Sequence, residues 1–311
     1  MKLIVFDVGG TDIKYCIMDE TLERKHFGVI QTPHDTQEHF FSKIKEIYDK
    51  LININNTDEE LKDVPVSGVA MSLPGFIDSK KGRNNGGGFL KYNIGKSIGP
   101  ELSKILGLPV ILGNDGKCAA MAEVKSGVLK GCDNAAVYII GTGVGGGLIV
   151  NGRLVNGHHF SAGEFSFLKT NNEDWGTLNK MTGFKCSTTG LLKKYRDVAC
   201  MSKEEIFNGK DFFAKVNAGE EMAINVLDEF TTDVAKSIFN INVLLDLEKV
   251  AIGGGISRQP ILLKYIRKNI DKVFNTNEFD KSLPKPEIVD CKYLSDANMV
   301  GAYMLYKDLT K

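Results

Sequence analysis

The sequence predicts an α/β protein made of two similar domains, and three observations support this fold class. The chain has 311 residues, which exceeds most single cores and suits two domains of ordinary size. Two glycine-rich turns, at 7–11 (DVGGT) and 141–146 (GTGVGG), each follow an apolar run typical of a strand. One pattern of strand, glycine turn, strand and hairpin begins at Lys2 and recurs from Ala135.

Both turns carry groups that suit a phosphate cradle. Glycine lets the backbone approach phosphate oxygens and direct several N–H donors at them, and Thr11 and Thr142 add hydroxyl donors. An acid such as Asp7 can hold the hydrated magnesium ion that neutralises the phosphates. Either turn alone is also compatible with an ordinary β-turn. The pair together predicts a nucleotide clamped between two domains.

The second turn also matches the G-x-G-x-x-G pattern of dinucleotide-binding folds, through Gly141, Gly143 and Gly146. That fingerprint must open a helix. Here the turn is followed by an apolar run, the dipeptide Asn151-Gly152 and a second apolar run, which predicts a β-hairpin with a type I′ turn. A nicotinamide-type cofactor is therefore not expected.

Composition narrows the class of protein further. Lys+Arg and Asp+Glu balance at 39 each, which gives no general attraction to nucleic acid or to an anionic membrane. Apolar content of 42% and charged content of 25% are those of a soluble globular chain, without an apolar run long enough to span a bilayer. The six cysteines include no C-x-x-C pair, and a strand at the start leaves no signal peptide, so we expect reduced thiols in a cytoplasmic protein.

Apolar periodicity and turn residues predict the elements of the chain. Strands are expected at 2–8, 13–18, 25–31, 64–73, 110–112, 135–154 (a meander) and 249–252. Helices are expected from a capping box at Asp35 and Glu38 through Leu51, and at 94–106, 115–128, 220–245, after 253–256, and at 296–309.

Two long stretches outside these elements are also informative. Residues 53–63 are expected to be a polar connection, and 78–92 a long loop rich in Gly, Asn and Lys. A structureless loop of that length in a compact domain is usually functional, although a flexible surface loop is an open alternative. We place the domains at 1–115, with 296–311 returning to it, and at 116–295.

Asn114 and Asp115 are the candidate chemical groups. They follow a short strand and begin a helix, so Asp115 can accept a proton from a sugar hydroxyl while Asn114 holds a neighbouring hydroxyl. The alternative is that Asp115 is an N-cap, which position alone favours.

These segments together resemble the ROK family of sugar kinases, within the hexokinase–actin superfamily. The similar segments are FDVGGTDIKY (6–15), LPVILGNDGKCAAMAE (108–123), GTGVGGGLIVNGRLVNGHHFSAGEF (141–165) and VAIGGGIS (250–257). The resemblance implies two actin/hexokinase-like (ribonuclease H-like) domains around a central cleft, with ATP and Mg²⁺ as cofactors and a homodimer as the assembly.

The resemblance also implies roles for individual residues. Asp115 would be the catalytic base and Asp7 would hold Mg²⁺ through water. The implied sugar ligands are Asn114, Asp115, Glu164, Gly75 and Gly87. The implied nucleotide contacts are Asp7, Gly9, Gly10, Thr11, Lys14, Gly141, Thr142, Gly143, Gly254 and Gly255.

The chain departs from the family at its structural zinc. In the family, Ala-Gly-Glu is followed by x-Gly-His, and a CxCGxxGC cluster comes later. In this chain Glu164 is followed by Phe165-Ser166-Phe167, and Cys186 is the single cysteine of the stretch 175–190. Tetrahedral zinc needs four ligands, so we expect no zinc site, and the pair His158 and His159 is expected to be solvated.

The lost polar groups would contact the anomeric end of the sugar, so a substituent on C1 should be tolerated. The pattern resembles the zinc-less β-glucoside kinases of the family and implies transfer of the ATP γ-phosphate to the C6 hydroxyl of a β-glucoside or glucose. Alternatives are a glucokinase or an N-acetylmannosamine-type kinase, and a non-catalytic sugar sensor. A sugar-responsive repressor is disfavoured because no DNA-binding segment precedes Lys2.

Overall fold

The computed structural model describes residues 1–169, 177, 180–202 and 204–310. Contacts among residues divide the chain into two compact units. Unit 1 comprises Met1–Lys125, Asn156–Ala162 and Asp296–Lys311, and unit 2 comprises Ser126–Val155 and Gly163–Ser295.

Within the described residues the chain forms twelve β-strands and nine α-helices. The strands are β1 (Lys2–Val8), β2 (Asp12–Met18), β3 (Lys25–Gln31), β4 (Val66–Leu73), β5 (Ile77–Asp78), β6 (Arg83–Asn84), β7 (Val110–Asn114), β8 (Ala135–Ile140), β9 (Val144–Val150), β10 (Arg153–Leu154), β11 (Lys249–Gly253) and β12 (Glu287–Asp290). The helices are α1 (Gln37–Thr57), α2 (Ile98–Leu106), α3 (Asp115–Ser126), α4 (Thr182–Lys185), α5 (Thr188–Val198), α6 (Gly209–Asn217), α7 (Glu221–Leu245), α8 (Pro260–Val273) and α9 (Ala297–Leu309).

Unit 1 is built on a five-stranded sheet in the order β3-β2-β1-β4-β7. The first three strands form an antiparallel meander, and β1, β4 and β7 run parallel. Every residue of β1 is buried because it is the central strand, and both of its faces are covered. Helices α1 and α2 pack on one face through side chains such as Phe40 and Leu102. Helix α9 packs on β1, β4 and β7, where the Tyr306 hydroxyl donates to the Ser67 carbonyl at 3.1 Å.

Unit 2 repeats this arrangement with the sheet order β10-β9-β8-β11-β12. Here β8, β9 and β10 form the meander, and β11 pairs in parallel with β8 and with β12. Its core includes the fully buried rings of Tyr138, Phe212 and Phe230. The recurrence seen in the sequence is thus a repeat of strand order, and each glycine turn joins the first two strands of its own sheet.

Most predicted strands and helices are confirmed to within a few residues. The hairpin after the second glycine turn is confirmed as well, because β9 and β10 pair antiparallel around Asn151 and Gly152, whose φ values of 52° and 68° suit a type I′ turn. Helix α9 lies in unit 1, and the boundary between units falls after Lys125, whereas the sequence placed it after Asp115.

Four local predictions were wrong. Thr36, rather than the capping box at Asp35 and Glu38, caps α1, because its side chain accepts from the His39 N–H at 3.1 Å. Helix α1 continues to Thr57, so part of the expected polar connection is helical. The 78–92 loop is not structureless, since β5 and β6 pair within it, and the helix expected directly after 253–256 begins at Pro260.

Candidate active site

Asn114 and Asp115 lie where β7 passes directly into α3. The Asn114 side chain is buried and makes two contacts: its Oδ1 accepts from the Lys117 N–H at 3.0 Å, and its Nδ2 donates to the Gly75 carbonyl at 3.0 Å. Asn114 therefore satisfies the free N–H of the first turn of α3, as an N-cap does. Capping of α3 thus falls to Asn114, which leaves the Asp115 carboxylate available for another role.

The Asp115 carboxyl lies in a poorly hydrated and negatively charged environment. Its Oδ1 accepts from the Gly116 N–H at 2.7 Å, which favours the ionised form. Desolvation is the larger effect and raises the pKa of Asp115 to about 6, and the charge of Asp7 adds to this increase. A carboxyl with this pKa is ionised at neutral pH and is a stronger base than an exposed aspartate, which suits proton abstraction.

Asp7 lies near the end of β1 and is buried. One carboxylate oxygen accepts from Asn298 Nδ2 at 3.0 Å, and the other lies 3.3 Å from the Lys14 ammonium. Asn298 comes from α9, far away in sequence, and sequence reasoning missed it. Magnesium binds proteins through one or two carboxylates and otherwise retains waters or takes phosphate oxygens. The pair of acids Asp7 and Asp115 fits such an ion.

The first glycine turn is a tight hairpin between β1 and β2. The Gly9 N–H donates to the Asp12 carbonyl at 2.9 Å. The turn is also held from the end of β3: the Thr32 hydroxyl donates to the Gly9 carbonyl and the Thr32 N–H to the Thr11 carbonyl, both at 2.9 Å. A Cβ built on Gly10 would lie 3.4 Å from the Phe89 ring, so this ring covers one side of the turn.

The glycine-rich loop of unit 1 folds back on the end of β4. Gly75 has φ +114°, and a Cβ there would lie 2.7 Å from Asn84 Nδ2. Gly88 has φ +83°, and a Cβ there would lie 2.7 Å from the Pro74 carbonyl oxygen. Neither position accepts another residue without strain. Gly87, between them, is thereby brought to the same part of unit 1 as Gly75 and Asn114.

The second glycine turn borders a cavity of about 600 Å³ within unit 2. The turn closes through a hydrogen bond of 2.9 Å from the Gly141 N–H to the Gly143 carbonyl. Gly141, Thr142 and Gly255 line the cavity, so the structure brings together residues that the sequence places more than a hundred positions apart. Gly254, with φ +103°, lies next to them and packs against the backbone of Ile140.

Two helix N-termini complete this cavity. The Thr188 N–H at the start of α5 donates to the Gly141 carbonyl at 2.8 Å, and α6 begins beside the cavity at Gly209. Helix N-termini carry partial positive charge and attract phosphate groups. Sequence reasoning missed these lining residues: Thr188, Asn208, Lys210 and Gln259. One signal was available, because Asn208 and Asp211 form a capping box.

Residues at the family's zinc segment serve the core of unit 2. Phe165 is buried and stacks on Tyr138 with ring centroids 5.6 Å apart, and a Cβ on Gly146 would overlap its ring. Phe167, at the family's histidine position, is 58% exposed, and Glu164 is partly buried just before it. Glu164 belongs to unit 2, whereas Asn114, Gly75 and Gly87 belong to unit 1.

No group of three or more His, Cys, Asp or Glu side chains converges within the described residues. Part of the 175–190 stretch lies outside them. His158 and His159 are exposed, with ring centroids 4.6 Å apart. Their segment belongs to unit 1, where the buried Lys117 donates from its ammonium to the carbonyls of Asn156 and Phe160. In the same described residues, no helix is long and apolar enough to cross a membrane.

Two α/β units of the same strand order, each with a glycine hairpin between its first two strands, place the protein in the actin/hexokinase-like fold class. The sequence profile of the ROK family matches residues 3–309, so the chain belongs to this family.

Three relatives are similar to this chain in sequence or in structure. A β-glucoside kinase of Listeria innocua is 30% identical over 274 residues, which cover 87% of this chain and 88% of the relative. The solved structure of the Lmo2764 protein of Listeria monocytogenes is 26% identical, with a TM-score of 0.85 over 99% of both chains. A ROK family protein of Streptococcus pneumoniae TIGR4, solved in complex with sucrose, is 26% identical, with a TM-score of 0.81 over 100% of both chains.

Proposed function

We propose that this ROK-family sugar kinase transfers the γ-phosphate of ATP to the C6 hydroxyl of a β-glucoside, with Asp115 as the general base. The observation that carries the proposal is the Asp115 carboxyl, whose pKa is raised to about 6 at the junction of β7 and α3. Binding alone does not need a base of this kind. A non-catalytic sugar sensor, which ranks below the alternative sugar kinases, gives no reason to desolvate a carboxylate at such a cost in free energy.

In the proposed reaction, Asp115 accepts the proton of the C6 hydroxyl as the oxygen attacks phosphorus. Asn114 and the backbone at Gly75 orient the sugar beside it. The second N–H of Asn114 is directed to the Asp115 carboxylate, and its Oδ1 keeps one lone pair beyond the bond from Lys117, which can accept from a neighbouring hydroxyl. General-base assistance of this kind contributes about 10²–10⁴-fold to the rate.

In unit 2, the nucleotide is assigned to the second glycine turn and the cavity beside it. In unit 1, the phosphate contacts that the family resemblance implies belong to the first glycine turn. The cavity of about 600 Å³ is of a size that suits a small-molecule ligand. Gly255 lines it, with Gly254 as its neighbour in the chain, and we assign the adenosine of ATP to this side. The Gly9 N–H closes the first turn on the Asp12 carbonyl, Gly10 and Thr11 offer its donors to phosphate, and Lys14 offers a positive charge beside Asp7. Bound Mg²⁺ would supply charge neutralisation of the phosphates, held by Asp7 through water.

A β-glucoside is the proposed acceptor because the side chains near Glu164 are apolar where the family has polar ones. Phe167 presents a 58% exposed ring at the histidine position. The relative from Listeria innocua is a β-glucoside kinase, and the one from Streptococcus pneumoniae was solved with a disaccharide. Both support an acceptor whose C1 carries a substituent. Glucose and N-acetylmannosamine are the alternative acceptors.

A coupled ATP-depletion assay across a sugar panel tests the proposal. Cellobiose and an aryl β-glucoside should give a kcat/KM above that of glucose and N-acetylmannosamine. Asp115→Asn should lose turnover while it keeps sugar affinity in calorimetry, as expected for an enzyme and not for a sensor. ATP consumption that is equal with and without every sugar would contradict the kinase assignment.

The family resemblance also supports a homodimer as the assembly. The C-terminal end of α7 presents Val243 and Leu244, which are 53% and 78% exposed. Burial of these side chains against a second copy would remove apolar surface from water. Light scattering of the purified protein should give about twice the chain mass of 34.2 kDa, and a monomer mass at micromolar concentration would reject this assembly.

A further inference from the structure

A second cavity of about 580 Å³ lies in unit 1, away from the residues assigned to the reaction. One wall is formed by Tyr15 of β2 and by the chain leaving β3 at Thr32 and Pro33. The other wall is one face of α1, including Lys43 and Lys50. Its volume is within the range of small-molecule sites.

The lining of this cavity carries more positive than negative charge. Lys43 and Lys50 contribute two ammonium groups, whereas Glu46 contributes the single carboxylate among its lining residues. Lys43 is 2.8 Å from Glu46, a partly exposed pair within one helix that is easily exchanged for another anion. Within the described chain Lys50 has no salt-bridge partner and lies 5.8 Å from the centroid of the Tyr15 ring. His39 also lines the cavity, and its Nδ1 lies 2.9 Å from the Asp35 carboxylate.

The wall opposite the lysines is aromatic and rigid. The Tyr15 ring lies against Gly28, where a Cβ would be 2.3 Å from the ring. No larger residue at 28 leaves the ring in this position. The Tyr15 side chain is only 7% exposed, so it fixes the shape of the cavity and offers no open face for stacking. Two ammonium groups suit a phosphate group, which lysine binds as a point charge, and the exposed Gln31 amide in the same lining can hydrogen-bond a sugar hydroxyl.

The cavity wall is also part of the support of the first phosphate turn. Thr32 lines the cavity and donates to the carbonyls of Gly9 and Thr11, at 2.9 Å in both cases. The next residue, Pro33, accepts from the Tyr92 hydroxyl at 2.6 Å, and Tyr92 follows the glycine-rich loop. A ligand that shifts Thr32 and Pro33 therefore acts on the turn and on the loop through direct hydrogen bonds.

We propose that this cavity is a regulatory site that binds a phosphorylated sugar, with its phosphate on Lys43 and Lys50, and that Thr32 couples its occupancy to the phosphate turn at Gly9–Thr11. The coupling is reciprocal: if the sugar phosphate changes the affinity of the protein for the nucleotide by some factor, the nucleotide changes the affinity of the cavity for the sugar phosphate by the same factor.

Calorimetry of the full-length protein tests binding without any turnover, so its result is independent of the kinase assignment. The probes are glucose 6-phosphate, inorganic phosphate and glucose. The variant Lys43→Gln/Lys50→Gln should weaken glucose 6-phosphate binding at least tenfold, and Lys45→Gln, on an exposed face of the same helix and paired with Asp49, should not. Equal binding by wild type and the double variant would mean that the sugar phosphate binds elsewhere and would overturn the proposal.

Calorimetry with inorganic phosphate distinguishes a sugar phosphate from free phosphate as the ligand of the two lysines. Binding of inorganic phosphate as tight as that of glucose 6-phosphate would reject a sugar phosphate as the ligand, and binding of glucose that the double variant weakens equally would reject the role of the charge. The coupling has its own readout. A non-hydrolysable ATP analogue should change the glucose 6-phosphate Kd at least fivefold in wild type and less than twofold in Thr32→Val. An equal change in both would overturn the role of Thr32.

Discussion

Asn114 and Gly75 are joined by a hydrogen bond of 3.0 Å from the Asn114 Nδ2 to the Gly75 carbonyl oxygen. This bond connects the start of α3, where Asp115 lies, to the end of β4, where the glycine-rich loop begins. The same side chain accepts from the Lys117 N–H at 3.0 Å. A single amide thus caps a helix and fixes the loop that we assign to the sugar.

Replacement of Asn114 should separate these two roles. Asn114→Ala removes the cap and the bond to Gly75, so we expect a loss of about 1 kcal/mol in the free energy of unfolding from the cap and a sugar KM at least tenfold higher. Asn114→Ser retains a capping oxygen but is too short to reach Gly75, so it should recover stability and not the sugar KM. Denaturation curves and steady-state kinetics measure both, and recovery of the KM by serine would contradict the role of the Gly75 bond.

The pH dependence of kcat/KM should report the Asp115 carboxyl. Desolvation raises its pKa to about 6, and a general base works in the ionised form, so kcat/KM should fall tenfold per pH unit below about 6. Kinetics between pH 5 and 8 at constant ionic strength measure this limb. A flat profile down to pH 5 would exclude Asp115 as the base.

Asp115 should also reduce the stability of the protein above pH 6. The folded-state pKa of about 6 exceeds the ordinary value of 3.8, so the folded state binds the proton more tightly and loses stability as pH rises through the folded pKa. That shift corresponds to a loss on the order of 3 kcal/mol at pH 7. Asp115→Asn should therefore be more stable than wild type at pH 7, with the difference vanishing near pH 4.

A matched substitution distinguishes this effect from a general loss of negative charge. Asp12→Asn removes an exposed carboxylate from the first residue of β2, and the stability of this variant relative to wild type should not show the same rise between pH 4 and 7. Thermal unfolding of the three proteins at several pH values makes the comparison. An Asp115→Asn protein that is no more stable at pH 7 would mean that burial of the carboxylate is fully offset by its contacts.

The central strands were predictable from the sequence because their burial is written in local composition. All of β1 is buried, and so is most of β8. Their apolar runs at 3–6 and 135–140 each lead within two residues into a glycine turn, which made both strands recognisable. The position of the Asn114-Asp115 pair was predictable for a similar reason. An apolar strand, then Asn-Asp, then an alanine-rich run locally favours a direct passage from strand to helix. The residue-level distinction between cap and base was not predictable, because it depends on Gly75 and Asp7.

The parts that were missed depend on contacts between distant segments. Asn298 reaches Asp7 from α9, and Thr188 reaches the Gly141 carbonyl from α5. No local pattern around either residue indicates a ligand site. The prediction of the N-cap of α1 was wrong for a different reason. Asp35 and Thr36 are both good N-cap residues, and the path of the preceding chain decides which of them caps the helix.

Alanine at Gly254 should lower the stability of the protein, whereas alanine at Gly255 should affect the binding of ATP. Gly254 has φ +103°, and a Cβ there would lie 2.1 Å from the Ile140 carbonyl oxygen, so Gly254→Ala should lose on the order of 3 kcal/mol or more of stability. Gly255 lines the unit 2 cavity, and a Cβ on it would meet no heavy atom of the described residues within 4 Å. Gly255→Ala should keep the wild-type Tm and raise the KM for ATP, and an unchanged KM would remove Gly255 from the nucleotide site.

Phe89 should contribute to recognition of the aglycone. Its ring is 69% exposed at the end of the glycine-rich loop and lies beside Gly10 of the phosphate turn. Exposure of a large apolar ring to water is unfavourable, and such a ring often marks a binding surface. Stacking of an aryl group on such a ring is worth about 0.5–1.5 kcal/mol. Phe89→Ala should therefore raise the KM for an aryl β-glucoside by about 2- to 12-fold and change the KM for glucose less.

The control for Phe89→Ala is Phe279→Ala, which removes an 86% exposed ring from unit 2. This variant should leave both KM values at the wild-type level, because Phe279 is not among the residues that line the unit 2 cavity. The comparison rests on the ratio of the two KM values, which cancels any common effect of a changed loop. Since glucose lacks the aryl group, equal increases for both acceptors in Phe89→Ala would show that the ring supports the turn at Gly10 and does not bind the aglycone.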